Sequence, residues 1–162
     1  MYRLMALMLL AGCVAAPTQV EGFRKPGVQM YSNAVLENAG LVGEWVQVAE
    51  FATAAAPACR KGKARIVQTA NGLRVDANLC LNGVATAFSG PLAAVGPGRF
   101  ATPGGEAWWV LWADMGYLTL AIGTPSGRFG FILNRGGDLP RDRLAAAREV
   151  LDWNGYALAR LR

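Results

Sequence analysis

From residue 44 onward, hydrophobic and polar positions alternate in short runs cut by turn residues, the period-two texture of half-buried strands. "EWVQVAEF" places Trp45, Gln47, Ala49 and Phe51 on one face. "ARIVQT", "ANG" and "LRVDANLCL" read as a hairpin with Asn71-Gly72 at its turn. Another reversal starts at "LNG", residues 81–83, and leads into "VATAFSG". "VGPGRFA" reads as turn then strand, and "EAWWVLWA", "GYLTLAIG" and "GRFGFILN" follow, separated by "DMG" and "TPSG". About eight short strands with hairpin-length links predict an antiparallel meander. Free edges would invite aggregation, and closure into a barrel removes them. The interior of an eight-stranded barrel either fills with side chains or holds one small ligand.

The period changes after "GGD". Residues 139–153, "LPRDRLAAAREVLDW", predict a helix, with Pro140 in the first turn, Asp138 placed to cap and Asp142 where the dipole favours negative charge. Leu144, Ala147 and Leu151 form one narrow apolar stripe suited to the outer wall of a barrel. Asn154-Gly155 ends it. Residues 14–35 carry prolines and glycines without a clear period and read as a tether.

The N-terminus changes the picture. "LMALMLLAG" follows Arg3 and ends in small residues, too short to cross a bilayer but laid out as a secretory signal peptide. Leu10-Ala11-Gly12-Cys13 resembles the lipobox of bacterial lipoproteins, which implies that Cys13 is acylated, takes up palmitate and becomes the mature N-terminus. The domain organisation expected is then a signal peptide over 1–12, a lipidated tether over 13–34 and a folded domain over 35–162. Export implies an oxidising compartment, where Cys59 and Cys80 can pair, and acylation accounts for the third thiol. Val14 stands where an aspartate would mark inner-membrane retention in enteric bacteria, so the outer membrane, facing the periplasm, is the expected location.

Composition excludes more than it proposes. The net charge of +5 is dispersed except in "CRKGKAR", without the basic stripe and interleaved aromatics of a nucleic-acid surface. The absence of histidine removes Ser-His and Cys-His nucleophiles and the usual zinc sets. Acidic residues fall on turns, tether or helix, and Asp76, alone on a strand, makes no acid–base pair. A binding protein with no catalytic residues, metal or cofactor is the expectation, acting as a monomer or homodimer.

Gly43-Glu44-Trp45 opens the first strand, "WWVLWADMGYLTLAIG" follows downstream, and "FILNR" closes the last strand with Arg135 just before the helix. This ordered set, over about residues 35–161, resembles the lipocalins, and among them the bacterial outer-membrane lipoprotein type. The resemblance implies an eight-stranded up-and-down barrel with one C-terminal helix outside it. It makes Trp45 the plug of the closed end, with Arg135 across its indole and Gly43 permitting close backbone approach. The family's T-D-Tyr turn reads Ala113-Asp114-Met115 here, with Tyr117 following, which implies a kept turn with altered aromatic packing.

In this family the pocket lies inside the barrel. Matched to the pattern, Trp108, Val110 and Trp112 point inward from the sixth strand and Phe129, Phe131 and Leu133 from the eighth. Ala49, Phe51 and Ile66 join them from the first two strands. These side chains either line an apolar pocket or fill the barrel. As a pocket they suit fatty acids, lysophospholipids or similar lipids, carried at the cell envelope. The alternative from another class is a periplasmic protease inhibitor, whose lipocalin-like barrel would present residues 14–30 as an inhibitory arm.

Overall fold

The alternating stretches pair strictly in chain order. In a computed structural model, which describes residues 22–162, the strands are β1 (Gly43–Glu50), β2 (Lys63–Thr69), β3 (Gly72–Leu81) and β4 (Val84–Gly96). They continue with β5 (Arg99–Ala101), β6 (Trp108–Ala113), β7 (Thr119–Gly123) and β8 (Gly130–Asn134). All neighbours are antiparallel, and β8 pairs with β1 to close the barrel. The helix α1 (Arg141–Trp153) lies outside against β6 and β7. This is the expected architecture, and closure satisfies every strand edge.

Local chemistry explains the turns and the helix. At the β3–β4 link, Asn82 and Gly83 both have positive φ, 51° and 78°, the pairing that a two-residue hairpin of matching twist requires. A side chain at Gly83 would also strike the Pro57 carbonyl at 2.5 Å. Ala147 and Leu151 of α1 are fully buried and Leu144 partly so, as the stripe predicts. The helix starts later than expected. Pro140 occupies the cap position without a side-chain bond, and Asp138 does not cap; its carbonyl accepts a hydrogen bond from Asn134 instead.

Two apolar clusters result. One fills the barrel, from Leu41 and Trp45 through Ile66, Val75 and Leu133 to Trp108 and Phe131. The other lies between the outer wall and α1, and includes Phe51, Ala121, Ile132, Leu151 and Tyr156.

The stretch expected as a tether behaves differently where it is described. Residues 1–21, including the signal sequence and Cys13, lie outside the described residues. From Gly22 the chain follows the barrel wall. Phe23 N–H donates to the Gly127 carbonyl at 2.6 Å and Asn33 N–H to the Val110 carbonyl at 2.8 Å. Phe23 and Met30 are buried in the outer cluster. Two large apolar side chains and paired backbone groups outweigh a loop-like composition, so residues 22–34 belong to the folded domain.

Two β-bulges set the remaining differences. Gln47 faces Leu133, Ala49 faces Ile132 and Glu50 faces Phe131, so one extra residue sits in β1 between Gln47 and Ala49. On β6, Val110 faces Ile122 whereas Trp112 faces Ala121, with Leu111 extra. An inserted residue inverts which side chains face inward beyond it. Ala49, Phe51 and Trp112, expected inside, therefore pack in the outer cluster.

Candidate functional site

The closed end is built around one plug. Trp45 is 1% exposed and its indole N–H donates to the Leu41 carbonyl at 2.8 Å. The Arg135 guanidinium lies 4.2 Å from the indole centroid, a cation–π stack of about 0.5–2 kcal/mol. The same guanidinium donates to the carbonyls of Tyr117 (2.7 Å), Gly40 (2.9 Å) and Val42 (2.8 Å). It thereby ties the β6–β7 turn to the turn of 3-10 helix before β1 (Asn38–Leu41). Burial lowers the pKa of Arg135 from its ordinary value. Gly43 has φ 136°, and a side chain there would lie 2.1 Å from Arg135 Nη1. Gly43, Trp45 and Arg135 thus stand together as the resemblance implied.

The altered turn keeps its aromatic by another route. Asp114 Oδ1 accepts from the N–H groups of Leu118 and Thr119 at 2.7 and 2.6 Å, which holds the turn. Tyr117, at φ 51°, covers Gly40 with its ring and accepts a hydrogen bond from Glu37 N–H at 2.8 Å. Met115 points fully into solvent.

The open end holds the candidate ligand site. Ile66, Val110 and Phe131 are at most 2% exposed and are packed within the barrel core. Trp108 meets Phe131 edge-on at 5.3 Å and Phe88 at 5.7 Å, and this aromatic layer forms a floor across the barrel. Above it is a cup of about 190 Å³, lined by Trp108, Phe129 and Phe131 together with Phe88, Thr86 and Leu81. Most of the interior is therefore occupied by side chains. The cup is smaller than the roughly 300 Å³ at which drug-sized pockets begin.

Of the nine residues expected to point into the barrel, three meet at the cup. Ile66, Val110 and Leu133 belong to the core beneath it, and Ala49, Phe51 and Trp112 lie outside the wall. Sequence reading missed Phe88, whose signal was its place in "VATAFSG", and the polar rim. On that rim Arg128 Nη1 reaches Glu106 Oε1 at 3.3 Å, and Ser126 Oγ donates to Glu106 Oε2 at 2.8 Å. Arg128 and Glu106 both line the cup, so its apolar floor opens onto a charged lip.

The upper wall beside the cup is held by covalent and polar ties. Cys59 and Cys80 form a disulfide spanning 21 residues with Cα atoms 6.0 Å apart, the pairing expected. Although Glu50 lies near both sulfurs, the sulfur–sulfur bond leaves no thiolate to bind a metal. Glu50 is instead paired with Arg162 at 2.9 Å and accepts from Gly83 N–H at 3.2 Å. Gln47 fills the gap where β2 has not yet begun. Its amide donates to the Cys80 carbonyl (2.7 Å) and accepts from the N–H groups of Cys80 (2.7 Å) and Gly62 (3.1 Å).

Neither a protein-family model nor a curated protein sequence matches the chain. Among solved structures it is similar to the major allergen Per a 4 from cockroaches, with TM-score 0.59 and 12% identity over 88% of this chain and 94% of that one. It is also similar to the siderocalin Ex-FABP, with TM-score 0.51 and 15% identity over 75% of this chain and 91% of that one. At such identities the likeness is one of fold. A closed eight-stranded barrel, a tryptophan plug under an arginine and one helix on the outer wall give this chain the lipocalin fold.

Proposed function

We propose that the protein is a lipid-anchored carrier of small hydrophobic ligands, such as fatty acids or lysophospholipids, at the bacterial cell envelope. The observation that carries this reading is the cup: an aromatic floor of Trp108, Phe131 and Phe88 beneath a lip bearing Arg128. Such a site suits an amphiphile whose apolar end enters the cup while its anionic group meets the guanidinium. The volume limits what enters to a chain end or a small flat hydrophobe. Cys13 and its upstream residues support acylation, and Val14 supports outer-membrane residence. Binding without chemical change fits a site whose only ionisable lining groups are one salt-bridged arginine and glutamate.

The inhibitor reading fits less well. Residues 23–30 would have to act as an arm, yet Phe23 and Met30 are buried against the chain's own barrel and helix. Arg24 Nε donates to the Asn154 carbonyl at 2.8 Å, which holds the segment down further.

Titration of the mature chain with a fluorescent fatty-acid analogue tests the carrier reading. Thr86→Trp should fill the cup and weaken binding at least tenfold, with the β-type circular dichroism unchanged. Met115→Ala, at the far end, should bind as the parent does. Undiminished binding by Thr86→Trp would show that the ligand does not use the cup. Separately, Cys13→Ser should abolish incorporation of labelled palmitate, and continued labelling would refute the anchor.

A further inference from the structure

The two ends of the barrel differ in charge. At the open end, the β7–β8 turn carries Arg128, the β1–β2 loop leads down to Arg60 and Lys61, and the N-terminal segment beside that turn carries Arg24 and Lys25. The loops here hold two carboxylates, Glu50 and Glu106, and each is already paired with an arginine, Arg162 and Arg128. One further carboxylate, Asp152, lies on the last turn of α1, two residues before the Asn154 carbonyl that Arg24 bonds. Lys25, Arg60 and Lys61 are exposed, and among the described residues none of them forms a salt bridge. Around the closed end the charges balance: Glu37, Asp114, Asp138 and Asp142 stand with Arg99, Arg135, Arg141 and Arg143.

The chain also enters the fold at the positive end. Phe23 bonds the Gly127 carbonyl, and Arg24 Nη1 donates to the Pro125 carbonyl at 3.2 Å, both in the β7–β8 turn at the mouth. Only eight residues separate Cys13 from Gly22. Nine peptide steps reach at most about 30 Å when fully extended, so an anchor at Cys13 keeps the mouth near the surface that holds it. Between Phe51 and Arg60 the rim loop "ATAAAPAC" exposes small apolar side chains, Ala54, Ala55, Pro57 and Ala58. Small residues flanked by cations match a headgroup layer, where basic side chains meet anionic lipid.

We infer that the open end is a docking surface for an anionic membrane, so that the mouth of the cup faces the bilayer. The orientation rests on the carrier reading for its purpose but on the charge asymmetry and chain entry for its geometry. A ligand then passes between cup and headgroup layer without crossing bulk water, and the closed end, with no excess of positive charge, points away.

The test uses the chain from Val14 to Arg162, which holds the whole described barrel and both apolar clusters, without acylation. It is sedimented with vesicles of phosphatidylcholine alone or containing about 30% phosphatidylglycerol. Partitioning should be at least tenfold greater onto the anionic vesicles and fall severalfold as salt rises from about 0.05 to 0.3 M. Lys25→Glu/Arg60→Glu should cut it at least fivefold. Arg74→Glu/Arg141→Glu, the same change in net charge placed on the wall and at the helix start, should alter it less than twofold. An environment-sensitive dye on Ala55→Cys should shift to the blue with anionic vesicles, while one on Met115→Cys should not. Equal loss in both double variants, or a shift at Met115, overturns the orientation. The fatty-acid analogue is titrated in the same preparations without vesicles. Uptake there without vesicle binding overturns the docking surface alone, and vesicle binding without uptake overturns the carrier reading alone.

Discussion

Single residues carry the ties that alternation cannot show. Tyr156 is buried against Phe51, with ring centroids 4.8 Å apart, and its hydroxyl donates to the Phe129 carbonyl at 2.7 Å while accepting from Thr124 N–H at 2.8 Å. Burial pushes its pKa up from 10.0 to about 12. The neutral phenol is therefore the form that folding favours. Its contribution is complete below pH 10 and is lost as pH rises through 12, a decline of about 2–3 kcal/mol over that window. Urea unfolding at pH 9 and pH 11.5 should show the fall, and Tyr156→Phe should remove most of it. The same variant should cost about 1–3 kcal/mol at pH 8, because the Thr124 and Phe129 groups lose their partner. At the closed end, Arg135→Lys keeps the charge but not the planar fork that reaches three carbonyls and stacks on Trp45. A loss of about 1–3 kcal/mol is expected, read as a lower urea midpoint with the slope unchanged.

Elements are joined where strands alone would leave gaps. β1 and β3 approach each other above the start of β2, and Gln47 stands in for the missing strand with three hydrogen bonds. Gln47→Leu has similar bulk but leaves the Cys80 and Gly62 groups unpaired, and should destabilise by about 2–4 kcal/mol. Thermal unfolding of the oxidised protein measures it. The adjacent disulfide closes a loop spanning 21 residues, for which chain entropy predicts about 3 kcal/mol. Cys59→Ser/Cys80→Ser should lower stability by that amount, and reducing agent should then have no further effect on the variant. The two bulges act at the same scale. Each shifts a strand by one residue, and together they exchange Ala49, Phe51 and Trp112 from the barrel interior to the bed of the helix. A variant with Leu111 deleted would restore plain alternation in β6 with Val110 still inward and Trp112 still outward, while the outer cluster would lose one buried leucine. It should keep its near-ultraviolet circular dichroism and lose about 2–5 kcal/mol, read in urea unfolding.

The whole molecule is a packed barrel with a shallow mouth. Its core is continuous from the Trp45 plug to the aromatic floor, so the carrier reading places the ligand at the open end, where the N-terminal segment also packs and Lys25 and Arg60 are exposed. Opening the floor should therefore enlarge the ligand range. Phe88 is only partly buried, and Phe88→Ala should let longer acyl chains bind, at a stability cost below the 3–5 kcal/mol typical of a buried phenylalanine. Binding of acyl analogues of increasing length by parent and variant checks this; an unchanged length preference would place the entry elsewhere.

The sequence by itself determined the meander, its closure, the outer helix, the Cys59–Cys80 pair and the plug of Gly43, Trp45 and Arg135. The meander and helix follow from local signals: period-two patterning, an Asn-Gly turn and a 3.6-residue stripe. Closure follows from the cost of free edges, the cysteine pair from the export signal and thiol count, and the plug from the resemblance to the lipocalin pattern. Only the tertiary structure decided which face of β1 and β6 turns inward beyond the bulges. It alone showed that residues 22–34 pack on the wall and that side chains fill most of the barrel. A bulge leaves no mark in alternation except one extra residue, and its consequence is global because every side chain after it changes face. Cavity volume likewise depends on how residues from four strands and two loops meet at one level, which no single strand's pattern contains.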